Sequence, residues 1–153
     1  MTISIRDARP GDEPDIVCLI TELARAGGEA SPVSEAFVRD FLASGRAYLL
    51  LAEVDGKIAG LLSYSVRSDL YHAAPSAMID EFVVSAAYRG CGIGSAMMSE
   101  LLGRLEAMGC AEVSVTTMPE NVAAQRFYRS HGLVDEALFL EKHFARCQAA
   151  GAE

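Results

Sequence analysis

The run Arg89-Gly90-Cys91-Gly92-Ile93-Gly94-Ser95 places three alternating glycines between a strand-like stretch, Ala77 to Val84, and a helical one, Ser95 to Met108. Without Cβ atoms in the way, successive backbone N–H groups can close on a bound group. The helix start adds unpaired N–H groups and the positive end of its dipole. Such a turn suits an anion, above all a phosphate.

A glycine turn alone also serves close strand–helix packing, so its chemistry depends on its company. A dinucleotide-binding G-x-G-x-x-G does not fit. Counted from Gly90 the closing glycine falls at Ser95, and counted from Gly92 it falls at Met97. The turn also lies mid-chain after a hairpin, not in an opening βαβ unit. A P-loop needs a lysine that this turn lacks.

The elements that must position these residues follow from pattern. Ile3 and Ile5 alternate with polar residues as in a short strand. Asp12-Glu13-Pro14 reads as a helix start, and Ile16, Val17, Ile20, Leu23 and Ala24 recur at helical spacing up to Gly27-Gly28. A second helix is expected near Ser34, with Phe37, Val38, Phe41 and Leu42 as its buried face. Arg46 to Val54 and Lys57 to Val66 are strand-like and joined by Asp55-Gly56, a hairpin signal. After a loop from Arg67 to Ser76 comes the strand that feeds the glycine turn. A strand from Glu112 to Thr117, a helix from Asn121 to Ser130 and two strand-like runs around Leu133 to Phe144 complete the order. Hairpins early and helical crossovers late imply a mixed sheet with helices on its faces.

At 153 residues, 51% hydrophobic and 22% charged, the chain is expected to form one globular domain over residues 1–147, with a short frayed tail at 148–153. A net charge of -8 argues against a general nucleic-acid binder, which needs a basic footprint on phosphate. No basic leader precedes an apolar run and no apolar stretch is long enough to cross a bilayer, so no membrane association and a cytoplasmic location are expected. Cys18, Cys91, Cys110 and Cys147 are scattered without a C-x-x-C pair or a nearby histidine, so reduced buried thiols are expected, with no metal.

A second element lies about thirty residues beyond the turn: Asn121-Val122-Ala123-Ala124-Gln125-Arg126-Phe127-Tyr128. Together with Arg89-x-x-Gly92-x-Gly94 it closely resembles the GCN5-related N-acetyltransferase (GNAT) superfamily. Further likeness runs from Ile5-Arg6-Asp7-Ala8, through Ile79-Asp80-Glu81-Phe82-Val83-Val84, to His131-Gly132-Leu133. The resemblance implies an α+β fold of the α/β class: a mixed, mostly antiparallel sheet of about seven strands flanked by about four helices.

It also implies acetyl-CoA as cosubstrate and direct acetyl transfer to a primary amine. In such a site the pyrophosphate contacts the backbone from Gly90 through Cys91, Gly92, Ile93 and Gly94 to Ser95, and Arg89 supports the turn or the pyrophosphate. Pantetheine pairs like an added strand with Phe82, Val83 and Val84, and an N–H near Val84 polarises the thioester carbonyl. Asn121 caps its helix and contacts the coenzyme. Tyr128 is implied as the acid for the departing thiolate, while Asp80, preferred over Glu81, is implied as the base. Neighbours on a strand, these two carboxylates are expected on opposite faces. Thr116 occupies the position where some relatives carry a glutamate base and cannot serve as one. His72 is a further candidate base or substrate contact, and Tyr71, Glu29 and Asp69 are expected to border the acceptor cleft. The acceptor implied is a small amine such as a polyamine, an amino-acid-like metabolite or an aminoglycoside. A protein N-terminus or lysine, or a catalytically idle coenzyme A sensor, is the alternative. A homodimer is possible.

Overall fold

The computed structural model describes residues 1–46 and 48–145. In chain order the elements are β1 (Ile3–Asp7), α1 (Glu13–Ala26), α2 (Glu35–Ala43), β2 (Tyr48–Val54), β3 (Lys57–Asp69), β4 (Ala74–Val84), α3 (Ile93–Ala107), β5 (Glu112–Val115) and α4 (Val122–Ser130). The strands form one sheet in the order β1-β2-β3-β4-β5. The first three pairings are antiparallel and β4–β5 is parallel, so the sheet is mixed as expected.

Local chemistry explains the connections. Asp55 (φ 48) and Gly56 (φ 82) both take left-handed backbone, the conformation of a two-residue turn whose twist matches its flanking strands. Ser34 starts α2 by accepting a hydrogen bond from the Phe37 N–H at 3.2 Å, and Asn121 starts α4 by accepting one from Ala124 at 3.1 Å. Asp12 precedes α1 but turns its carboxylate back to the Arg9 N–H at 2.8 Å and to the Arg6 guanidinium, tying the helix start to β1.

The sheet separates two apolar layers. On one face α3 buries Met97, Met98 and Leu101 completely against Leu50, Leu62, Tyr64 and Ile79. On the other, α1 and α2 set Ile16, Leu19 and Val38 against Leu49, Leu51, Leu61 and Val83.

Three expectations need correction. First, the described residues form five strands, not about seven: nothing from Leu133 to Phe144 pairs into the sheet. Leu133 serves the end of α4 instead. Its N–H donates to the Tyr128 carbonyl at 3.1 Å beyond Gly132 (φ 91), a left-handed helix stop. Leu138, Phe139, Leu140 and Phe144 are exposed, because an apolar run supplies a face but not a hydrogen-bonded partner. Second, only Val38 of the α2 quartet is buried, while Phe37 is 65% exposed. Third, Cys18 and Cys91 are exposed free thiols and Cys110 is half-buried. Cys147 and the tail at 148–153 lie outside the described residues. No helix among the described residues is long and apolar enough to cross a membrane.

Candidate active site

The glycine turn leads from the end of β4, through a single 3-10 turn (Ala86–Tyr88), into α3. Gly90 (φ 77) and Gly92 (φ 79) take left-handed backbone that a side chain would strain. Gly92 stands at the helix start with no side-chain cap, and the first intrahelical bond there runs from Ala96 to the Gly92 carbonyl at 3.0 Å. The N–H groups of Ile93, Gly94 and Ser95 therefore lack intrahelical acceptors and lie at the positive end of the dipole. Gly94 takes ordinary helical backbone instead. A Cβ there would lie 3.4 Å from the Phe127 ring, so α3 starts in close contact with α4.

Arg89 braces this turn from outside. Its Nε donates to the Val84 carbonyl at 3.1 Å, and its Nη2 lies 3.5 Å from Glu22 Oε1 on α1. The same Glu22 oxygen accepts the Ala86 N–H at 2.7 Å. The arrangement fits the support role for Arg89, and Glu22 is a partner that sequence spacing did not reveal. Cys91 is exposed and at 3.8 Å its thiol meets the Arg89 carbonyl, a local contact.

Beyond the turn the sheet forks. The β4–β5 pairing ends at Ile79↔Val115, while β4 continues to Val84 and stays paired with β3 on its other side. Residues 80–84 thus present a backbone edge with no strand partner among the described residues. An extended ligand arm could pair there as an added strand does.

At the fork the register between β3 and β4 slips: Ser63 pairs with Glu81 but Tyr64 pairs with Ile79, leaving Asp80 as the extra residue of a β-bulge. The bulge overturns the expectation of opposite faces. Ser63 and Ser65, two apart on β3, share a face. Ser63 Oγ donates to Glu81 Oε2, and Ser65 Oγ lies 3.4 Å from Asp80 Oδ1. Both carboxylates therefore project on the α1/α2 side, because a bulged residue breaks the alternation that strand spacing assumes. Partial burial of the carboxyl pushes the Asp80 pKa above the usual carboxylate value, opposed by the weaker effect of the Ser65 hydroxyl.

Tyr128 comes in from α4. Its ring centroid lies 6.5 Å from that of Phe82 on β4 and 5.5 Å from that of Phe127, and Phe127 packs edge-on against Phe82 at 5.7 Å. This aromatic group fixes Tyr128 beside the unpaired stretch of β4. Burial pushes its phenol pKa up, so the group stays a proton donor at neutral pH. Asn121 is held by its cap to Ala124, and Gln125 secures the preceding loop through Nε2 to the carbonyls of Met118 and Pro119.

On the carboxylate side lies a cavity of about 530 Å³ between α1, α2 and the sheet, with Glu81 and Ser63 in its wall. Phe37 and Phe41 line it, which is why the face of α2 is not closed against the sheet. His72, Asp69, Tyr71 and Glu29 do not line it. Asp69 and His72 instead brace the β3–β4 hairpin: His72 Nδ1 lies 2.7 Å from Asp69 Oδ2, and His72 Nε2 lies 3.9 Å from Glu112 Oε2 at the start of β5. The His72 and Ser76 hydrogen bonds hold the Asp69 carboxyl well below the usual carboxylate range. Thr116 follows the last residue of β5 and is exposed.

Known proteins share this plan. A human protein named spermidine/spermine N(1)-acetyltransferase-like protein 1 (Homo sapiens) is 30% identical over 143 residues, which is 86% of this chain but 20% of that protein. The chain thus spans a small part of the length of that curated relative. A crystal structure of a transcriptional regulator from Bacillus halodurans C-125 matches at 27% identity with a TM-score of 0.81, covering 94% of this chain and 100% of that one. An aminoglycoside acetyltransferase from an uncultured soil metagenomic sample, solved with sisomicin, matches at 21% identity with a TM-score of 0.79, covering 95% and 97% of the two chains; this last likeness speaks to the fold alone. The model of the Acetyltransferase (GNAT) family matches residues 17–133. With the glycine turn, the forked sheet and the α4 tyrosine inside that span, the chain belongs to the acetyltransferase (GNAT) family.

Proposed function

We propose that this chain is an acetyl-CoA-dependent N-acetyltransferase that transfers the acetyl group directly to the primary amine of a small molecule. The observation that carries the reading is the fork. One short unpaired edge of β4 leads toward the glycine turn and carries Phe82 beside Tyr128, and two carboxylates project from the same stretch. The residues present fit the coenzyme: left-handed glycines and free N–H groups for a pyrophosphate, and an open main-chain edge for an amide-bearing arm. Acetyl-CoA would supply there an acyl thioester activated toward an amine.

The chain's own groups divide the remaining work. Backbone N–H groups from Gly90 to Ser95 hold the pyrophosphate, with Arg89 stiffening the turn and Asn121 contacting the coenzyme from α4. The main chain of Phe82, Val83 and Val84 aligns the arm, and an N–H near Val84 donates to the carbonyl oxygen as negative charge grows there. Asp80, at the fork, accepts the proton that an ammonium must lose before attack. Its raised pKa suits that role, since a stronger base shares more of the transferred proton. Tyr128 donates to the departing sulfur. Glu81, anchored by Ser63, faces the cavity and attracts the incoming ammonium.

Thiol release from acetyl-CoA across a panel of small amines and peptides tests the reading. Turnover on an amine, abolished by omitting it, is expected. Coenzyme A binding with no turnover on any acceptor would leave a sensor instead, and turnover on peptides alone would move the acceptor class to proteins. Asp80→Asn sharpens the assignment. Wild-type enzyme deprotonates its substrate through Asp80 and so works below the amine pKa. The variant depends on amine already neutral in solution, so its kcat/KM climbs by about tenfold per pH unit until that pKa. Equal pH profiles would remove Asp80 from the proton transfer.

A further inference from the structure

We infer that the acceptor is a monoamine carried on an apolar body, which fills the cavity beneath α2 while its ammonium reaches Glu81. This rests on the acetyltransferase reading for the reaction, but not for the binding.

The walls decide the class. Ile20, Val33, Phe37, Phe41 and Leu61 give the cavity an apolar surface on α1, the α1–α2 connection, α2 and β3. Glu81 is the one ionisable side chain among its lining residues. The lining hydroxyls are only three: Ser34 Oγ accepts the Phe37 N–H, Ser31 Oγ accepts the Val33 N–H at 3.2 Å, and Ser63 Oγ donates to Glu81. One carboxylate in an otherwise apolar lining matches one ammonium on an apolar molecule. A second ammonium would find no second carboxylate in this lining and a ring of hydroxyls only a few serines, and burying such groups unpaired is unfavourable. The volume of about 530 Å³ lies within the range of small-molecule sites.

Exposure on α2 agrees. Phe37 is 65% and Phe41 38% exposed on a nine-residue helix whose Val38 is fully packed. These rings line the cavity and remain partly exposed, so an apolar ligand body would cover surface that the chain leaves open. Of the acceptors that the resemblance implies (polyamines, amino-acid-like metabolites and aminoglycosides), the polyamines and aminoglycosides are polycations, and this space does not suit them.

The cleanest test compares 1-aminohexane with 1,6-diaminohexane, which differ by a terminal amine. With acetyl-CoA present, kcat/KM for the monoamine is expected to exceed that for the diamine by about tenfold or more. Across butyl-, hexyl- and octylamine it should rise by about two- to fourfold per added methylene until the cavity is full. Phe37→Glu sets a second carboxylate at the mouth of the cavity on an exposed position that does not threaten folding. It should cut the monoamine preference at least severalfold. Equal or better use of the diamine, spermidine or an aminoglycoside would overturn the inference.

Binding provides the independent arm. Methyl NMR signals of Val33 and Leu61 should shift with 1-aminohexane more than with the diamine, whether or not turnover occurs. Shifts without thiol release would uphold the acceptor class while the transferase reading falls. No selective shift and no selective turnover would sink the inference.

Discussion

The two faces of the sheet are built for different tasks. On the α3 face, Met97, Met98 and Leu101 are wholly buried and Phe127 closes the layer beside Gly94, so few side chains remain for a ligand. What that side offers is backbone: the glycine turn and the α3 start, next to the open edge of β4. The α1/α2 face keeps a smaller apolar layer and an open cavity lined by side chains. Recognition through backbone tolerates almost any surrounding sequence provided glycines sit at the strained positions. Recognition through side chains must be rewritten for each acceptor. On the function proposed above, one face would serve a common donor and the other an acceptor peculiar to this chain.

Removing bulk from the closed face is expected to have the largest effect. Met98→Ala leaves a cavity where surrounding side chains cannot collapse, costing about 2–5 kcal/mol of unfolding free energy. Denaturant unfolding measures it. A loss below about 1 kcal/mol would mean that this layer is no better packed than the open one.

Tyr128→Phe separates chemistry from packing on the same side. The ring and its contacts with Phe82 and Phe127 survive, and the hydroxyl is lost. A fall of about 10²-fold in kcat is expected, with coenzyme A affinity unchanged within about twofold. Parallel loss of affinity would make the residue a binding group, and full activity would remove it from the mechanism.

Glycine substitutions in the turn rank next. Gly92→Ala forces a Cβ onto left-handed backbone at φ 79, which costs about 1–2 kcal/mol and should weaken coenzyme A binding by tilting the N–H groups. Gly94→Ala adds a Cβ at 3.4 Å from Phe127, an ordinary contact distance, and should leave stability and binding nearly unchanged. Calorimetric titration with coenzyme A compares the two. Similar losses from both would show that the turn works by shape and not by backbone conformation.

Why the glycine turn was readable and the α1/α2 face was not follows from these mechanisms. Gly90, Gly92 and Asn121 do their work within a few residues of themselves, through dihedral angles and a helix cap, so their spacing carries the information. The Asp55-Gly56 hairpin was legible for the same reason. Asp80 and Glu81 were singled out as adjacent carboxylates, but their shared face was not legible. It depends on a bulge set by the pairing of β4 with Ser63 and Tyr64, eighteen and fifteen residues away. The openness of α2 was hidden too, because Phe37 and Phe41 have a core composition and only the sheet's position shows that they stop short of it. The run from Leu138 to Phe144 has strand-like composition, but a strand needs an edge to pair with. Glu22 was invisible because its partners, Ala86 and Arg89, lie more than sixty residues on.

The smallest expected effect concerns how the open face is fastened. The start of α1 is tied to the sheet by ions: Arg6 grips Asp12 with two hydrogen bonds at 2.8 and 2.9 Å and reaches Glu53 at 3.0 Å. The closed face has an ionic tie as well, Arg104 to Asp7 at 2.7 Å, but its hold is mainly apolar. The Arg6 hydrogen bond holds the Asp12 carboxyl below its usual pKa, and the Arg9 N–H adds to this. A carboxyl whose pKa is lower folded than unfolded stabilises fully above its ordinary value. It loses that contribution as pH falls through the folded-state value. The pair is partly exposed, so its worth at neutral pH is about 1 kcal/mol. Wild type should therefore exceed Asp12→Asn in unfolding free energy by a constant amount from about pH 5 to 8, and the gap should close below about pH 4. Sodium chloride should narrow it at every pH, since a solvent-accessible pair is screened. If the gap instead persists into acid, the carboxylate charge is not what fastens α1, and the faces differ in packing alone.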